Sequence, residues 1–262
     1  MPAAMDPLLA RHVAVCNSAR LPGNRLRFLL GGTEVGWVAP DAAATLAAHD
    51  AVEARADAVA LREAERLPEI GRLLADRGFC PWRGEAFDVR ADAAGPVLAT
   101  IDRGAIPVLG LYATGVHLNG LVRRGEAYFL WVARRSATRP LDPGKLDHLV
   151  AGGVPSGLTP EETLVKEAAE EATMPADLAW QAVPAETITY AMERPEGLRR
   201  DRLLCYDLLL PEAFIPRAAD GEAAGFELWP IGRALETVRL TDDFKFNVNL
   251  VLIGLFGRLG LI

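Results

Sequence analysis

The sequence predicts an α+β protein, a mixed-sheet sandwich preceded by a small α+β module. Three observations carry that expectation. Strand-like and helix-like segments follow one another without the regular βα alternation of a doubly wound sheet. The 262 residues fit one large domain or two small ones at about 100–200 residues per domain. Half of them are hydrophobic and 24% are charged, the balance of a chain that buries a core rather than one that stays disordered.

The elements follow in order. Residues 26–30 and 35–38 flank Gly31-Gly32-Thr33, a hairpin signature. Pro40 and Asp41 open an alanine-rich helix to His49, with Asp41 as its cap. Helical, alanine-rich sequence continues to Glu65. Pro68 to Arg77 repeats apolar residues at helical spacing and stops at Gly78, placed as a C′ residue. Residues 86–90 read as a strand. A second part begins near Ile106, dividing the chain into 1–105 and 106–262. Residues 116–122 and 127–133 are strands joined by a turn at 123–126. Residues 134–148 form a loop in which Arg134, Arg135, Arg139 and Lys145 outnumber Asp142 and Asp147. Residues 149–154 bring a strand to a glycine-rich turn. Thr159, Pro160 and Glu162 then carry the signature of a capping box. The helix runs to about Thr173, and Pro175 ends it. Further strands fall near 186–191, 203–210 and 226–229. Helices near 232–237 and 243–259 close the chain.

Composition excludes several classes. With 28 Lys+Arg against 35 Asp+Glu, the net charge is −7, which disfavours general nucleic-acid binding. A phosphorylated small molecule needs only a local cation. Cys16, Cys80 and Cys205 lie far apart, an odd and sparse count that suits a reducing cytoplasm. No CxxC is present, and His12, His49, His117 and His148 lack zinc-ligand spacing. Met1 to Pro7 lacks the charged start and apolar run of a signal peptide. Residues 248–256, the most apolar stretch, are too short for a span of about 20 residues and read as a buried helix.

The chemistry concentrates in residues 152–174. Glu167, Glu170 and Glu171 stand at i, i+3 and i+4, which puts three carboxylates on one helix face. Three like charges so placed repel, and the helix dipole offsets little this far along. A solvated acidic face is one reading. The other is a hard cation, Mg²⁺ or Mn²⁺, held by oxygen ligands. Small neighbours (Ala168, Ala169, Ala172), the Gly152-Gly153 turn and the preceding basic loop favour the second. A cationic strip beside an acidic metal-binding helix is what a diphosphate needs.

This segment resembles the Nudix box. Lys166 stands at the box arginine, Glu167 follows it, and Glu170-Glu171 match the paired glutamates. Counting back places the leading glycine on Gly152. The resemblance implies metal binding by Glu167, Glu170, Glu171 and the carbonyl of Gly152. Three positions depart from the pattern: Leu158 replaces the loop glutamate, Lys166 the arginine and Thr173 the terminal glycine. Residues 115–120, 131–136, 143–147, 150–154, 219–222 and 244–247, with Trp82-Arg-Gly-Glu85 and Gly36-Trp37, are similar to the thiamine pyrophosphokinase-related Nudix subgroup, which carries an uncharacterised N-terminal domain. The fold so implied is a Nudix-type α/β/α sandwich with a mixed sheet behind a small α+β domain.

Outside the box, the resemblance adds Glu222 as a further metal contact or water-activating group. Arg134, Arg135 and Lys145 are candidates to grip phosphate. Glu193 and Glu196, in an Arg-rich loop (Arg194, Arg199, Arg200), are placed as a cover for the site. His117 and His148 read as structural, and Trp37, Trp82, Trp131 and Trp229 as core. The expected activity is metal-dependent pyrophosphohydrolysis of a small nucleoside- or thiamine-diphosphate-like substrate, with Glu171 or Glu222 taking the proton from water. The alternative is a Nudix-fold protein that holds a phosphorylated ligand without cleaving it. An isopentenyl diphosphate isomerase reading fails on the context of Cys205. The expected partner is a small-molecule diphosphate, with no nucleic acid and no membrane. A homodimer is allowed for.

Overall fold

The structure is a computed structural model that describes residues 6–219 and 221–262. The expectations touching Met1 to Met5 and Asp220 lie outside the described residues. The chain opens with α1 (Pro7–Cys16), which no sequence expectation covered. Asp6 caps it, its Oδ1 accepting the Leu8 N–H at 2.9 Å.

β1 (Leu26–Leu30) and β2 (Thr33–Val38) form the expected antiparallel hairpin. Gly31 and Gly32 turn it with φ of 56° and 87°, the left-handed pair that a two-residue turn demands. α2 (Pro40–Leu46) is shorter than expected. Its cap position is Ala39, and Asp41 lies inside the first turn, accepting the Ala42 N–H at 2.8 Å. Residues 50–65 depart further from expectation. They hold β3 (Val52–Ala54) and β4 (Ala58–Leu61) instead of continuing a helix. β4 pairs parallel with β1 and antiparallel with β3, and its four residues are all buried. Alanine's helical preference is worth only about 0.7 kcal/mol per residue over ordinary residues. Two ladders and burial on both faces override it.

α3 (Leu67–Asp76) packs Leu67, Ile70 and Leu74 inward and ends before Gly78 at φ 79°, as expected. β5 (Ala86–Val89) and β6 (Ala99–Asp102) form a separate antiparallel pair. One core gathers this part, from Phe28 through Ile70 and Phe87 to Leu111. Trp82 stands outside it, 44% exposed beneath the Arg72 guanidinium, so the reading of this residue as core does not hold.

The rest is built on a mixed sheet with strand order β11-β12-β7-β8-β13. Its members are β7 (Tyr112–Arg124), β8 (Ala127–Arg135), β9 (Leu146–Asp147), β10 (Val150–Gly153), then α4 (Pro160–Ala172) and α5 (Ala176–Ala179), β11 (Val183–Arg194), β12 (Gly197–Leu209) and β13 (Ala223–Pro230), followed by α6 (Ile231–Leu240) and α7 (Val248–Arg258). β12 and β7 run parallel; the other pairs are antiparallel. β10 leaves the main path to pair with β7, and β9 pairs with β8, so the sheet splits between them.

Side-chain alternation sorts the two faces. Val116, Leu118 and Val122 pack with Leu164, Ala168 and Ala172 of α4. Leu121, Leu130 and Val132 meet α6 and α7, and Leu9 brings α1 into the same core. Each fully buried Leu or Phe here contributes roughly 1.5–3 kcal/mol. α7 starts at Val248 rather than Asp243 because Phe244 and Lys245 are held extended, the Lys245 N–H donating to the Leu146 carbonyl at 2.9 Å. The Arg-rich segment expected to cover the site is the β11–β12 hairpin itself. Glu193 pairs with Arg25 at 2.7 Å and Arg200 donates to the Val35 carbonyl at 3.4 Å, which tie the hairpin to the N-terminal part, while Glu196 pairs with Arg199 inside the hairpin at 3.3 Å. No helix among the described residues is long and apolar enough to cross a membrane.

Candidate functional site

α4 places the carboxylates. Its capping box is complete: Thr159 Oγ1 accepts the Glu162 N–H at 3.2 Å, and the Glu162 carboxylate accepts the Thr159 N–H at 2.9 Å. Leu164, Ala168 and Ala172 form the stripe against the sheet. At about 100° per residue, Glu171 lies beside that stripe, Glu167 at its border and Glu170 on the outer side. Exposure follows: the Glu167 side chain is 17% exposed and that of Glu170 50%. The helix closes on Thr173, a non-glycine residue at φ 53°. Its hydroxyl donates to the Arg217 carbonyl at 2.9 Å, which anchors the strained position. Pro175 begins α5 instead of ending α4.

Gly152 and Gly153, expected as a turn, are instead the end of β10, paired with Val116 and Gly115 of β7, and this strand end lies against the helix. The Ala151 N–H donates to Glu171 Oε2 at 2.9 Å. A Cβ built on Gly152 would lie 2.5 Å from Glu167 Cδ, so the carboxylate occupies the space that a side chain would need. Gly152→Ala is therefore expected to displace Glu167 while costing little stability, since a flexible side chain can yield. Calorimetric titration with Mn²⁺ should show affinity lowered about tenfold, the scale of disturbing a metal site's surroundings. Unchanged affinity would remove Gly152 from the site.

Charge here is poorly compensated. Burial pushes the Glu171 carboxyl well above the usual carboxylate range, against the Ala151 N–H that favours ionisation. Burial raises Glu167 too, despite Lys166. Lys166, the residue at the box arginine, reaches Glu167 at 3.1 Å and Glu170 at 2.7 Å, an ammonium bridging two of the three carboxylates. Among the described residues no three acidic or imidazole groups already converge on one point. The donor set nevertheless suits a hard cation: three carboxylates, two with raised pKa, a glycine cradle filled by one of them and a lysine already serving as counter-charge.

A cleft opens beside Glu171, lined also by Arg135, Asp147, His148, Glu222 and Phe226. Glu222 is ion-paired with Arg139, and its backbone carbonyl accepts the Ser136 N–H at 2.8 Å. Arg135 is buried, its Nη1 2.6 Å from Asp147 Oδ2, with further bonds to the carbonyls of Leu141 and Asp142. Lys245 Nζ lies 3.7 Å from the same oxygen. Burial opposes ionisation of Asp147, but Lys245 and Arg135 outweigh it and hold the carboxyl well below its usual range. His117 and His148 share an Nδ1···Nδ1 contact of 2.9 Å. Burial depresses both, His148 to about 4, so they are neutral at pH 7, as a structural role requires.

Of the groups singled out in the sequence, the structure gathers Glu167 and Glu170 around Lys166, sets Glu167 against Gly152, and brings Glu171, Glu222 and Arg135 to one cleft. Arg134 and Lys145 are elsewhere. Alternation along β8 turns Arg134 to the opposite face, with Leu146 and Trp229, and it donates to the Gly144 carbonyl at 3.1 Å. Lys145 donates to the Asp242 carbonyl. Arg139 and Lys245 were not singled out. The signals for them were the basic loop and the Phe244-Lys-Phe-Asn247 segment.

Residues 114–247 match the family described as "NUDIX domain", and residues 8–113 match "Domain of unknown function (DUF4743)". The chain is similar to "Nudix hydrolase 20, chloroplastic" of Arabidopsis thaliana, 38% identical over 74% of this chain and 52% of that protein. It is 40% identical to "Nudix hydrolase 24, chloroplastic" of the same plant, over 73% and 53%. A "Nudix hydrolase" of Deinococcus radiodurans is 33% identical over 42% of this chain and 72% of that protein. The chain spans about half the length of the two plant relatives.

Proposed function

This chain belongs to the Nudix family, and from that premise we propose that it is a metal-dependent hydrolase of a diphosphate linkage in a small molecule. The observation that carries the reading is the under-compensated carboxylate set of α4 packed against Gly152. Glu167, Glu170, Glu171 and the Gly152 carbonyl are the groups that would hold Mg²⁺ or Mn²⁺. Once bound, such a cation polarises phosphoryl oxygens and acidifies water.

The chain's own groups supply orientation and proton transfer. Glu171 and Glu222, both lining the cleft, are the proposed acceptors of the proton from the attacking water. Arg139, paired with Glu222 at the cleft, takes the proposed phosphate-facing role, whereas Arg135 lines the cleft but spends its donors on Asp147 and the Leu141 and Asp142 carbonyls. Arg134 and Lys145 lose support for that role because their donors are directed elsewhere.

A panel of nucleoside diphosphate derivatives and thiamine diphosphate analogues, incubated with the chain and Mg²⁺, tests the reading and selects its substrate. Thiamine compounds belong in the panel because of the subgroup resemblance of the sequence. Phosphorylated fragments are expected from at least one compound, with Glu170→Gln slower by on the order of a hundredfold at an unchanged unfolding midpoint. Tight binding without products would support the non-cleaving alternative instead.

A further inference from the structure

The Gly152-Gly153 end of β10 is confined from two sides. Glu167 fills the Cβ space of Gly152, and successive side-chain positions on a strand point to opposite faces. The space of Gly153 is filled from the N-terminal domain: a Cβ there would lie 2.7 Å from Phe87 Cζ and 2.9 Å from Phe87 Cε1. The backbone of Gly153 has no positive φ, so sterics alone exclude a side chain. A second link runs alongside, from the Ser156 N–H to the Ala86 carbonyl at 2.8 Å. Phe87 is itself fixed, 3% exposed in the N-terminal core and paired across the β5–β6 ladder with Ile101. The Arg103 guanidinium lies 5.6 Å from its ring centre.

We propose that Phe87 is a positioning residue for the metal-holding end of β10: the β5–β6 hairpin presses Gly153 from one face while Glu167 meets Gly152 on the other. The role of the N-terminal domain is then to fix the carbonyl of Gly152 relative to α4. In a close-packed contact between a buried ring and bare backbone, a displacement on one side is transmitted to the other. The inference rests on the metal-site reading of α4, and its test uses metal alone.

Mn²⁺ affinity of the full chain, measured by electron paramagnetic resonance, is followed through a double-mutant cycle. Gly153→Ala should weaken Mn²⁺ binding about tenfold and Phe87→Leu about threefold, on the scale of disturbing a metal site's supports. In the double variant, Leu leaves room for the new methyl group, so its affinity should match Phe87→Leu rather than the product of the two losses. Phe87→Met is run in parallel as a second removal of the ring, in case one variant folds poorly. Multiplying effects would overturn the proposal, as would lowered unfolding midpoints with unchanged Mn²⁺ affinity. Wild-type Mn²⁺ binding with no hydrolysis of any diphosphate would sink the hydrolase reading alone.

Discussion

Glu171→Gln is expected to lower metal-dependent turnover by on the order of a hundredfold or more, the scale lost when one group arranged around developing charge is removed. The same variant should be at least as stable as the parent without metal. The carboxyl of Glu171 is pushed up by burial, so the folded protein prefers it protonated. Its contribution to stability is therefore full below the ordinary carboxylate pKa and is lost as pH rises through the elevated folded value. Denaturant unfolding of the metal-free chain should show stability falling over that rise, a fall that Mg²⁺ opposes and that Glu171→Gln reduces. The Ala151 N–H limits the gain, because it must then bond an amide oxygen instead of a carboxylate. An equally steep fall in the variant would mean that Glu171 is not the group responsible.

Asp147→Ala is expected to cost about 3–5 kcal/mol, the range for removing one partner of a buried ion pair. Asp147 is 7% exposed and joins Arg135 and Lys245 behind the cleft. The two cations would respond differently to its loss. Burial already lowers the pKa of Lys245 and Asp147 opposes that shift, so losing Asp147 would make this residue shed its proton more readily. A guanidinium cannot, and Arg135 would be left with only the Leu141 and Asp142 carbonyls. Asp147→Asn, which keeps an acceptor, should cost less. Because Asp147 is held low, its contribution should persist above the ordinary carboxylate range and disappear only in strong acid, opposite in sign to Glu171. A loss under about 1 kcal/mol for the alanine variant would show that the network behaves as an exposed one.

Local signals were the legible part of this molecule. The capping box at Thr159, the Gly31-Gly32 turn and the stop at Gly78 each depend on a few neighbouring residues, and each formed as expected. The three glutamates of α4 could be placed on one face from spacing alone, but the gradient among them could not. Glu171 sits nearest the sheet because Ala168 and Ala172 bring that edge of the helix against it. Failures came where distant segments decide. β4 is a strand because β1 and β3 flank it, which an alanine-rich window does not reveal. Arg134 and Arg135 are adjacent and chemically identical, yet strand alternation sends one to each face. Thr173 takes a left-handed conformation that its residue type disfavours, and the partner that anchors it lies 44 residues away. Phe87 gave no local sign of any link to Gly153.

Held by the α4 carboxylates, a divalent cation is the proposed requirement for diphosphate hydrolysis by this chain. Phosphorus NMR of a diphosphate from the panel, recorded as Mg²⁺ is added to the wild-type chain and to Glu171→Gln in parallel, tests it most directly. Diphosphate resonances should give way to monophosphate ones only with Mg²⁺ present and only in the wild type. Conversion without a divalent cation, or at equal rates in both proteins, would contradict it.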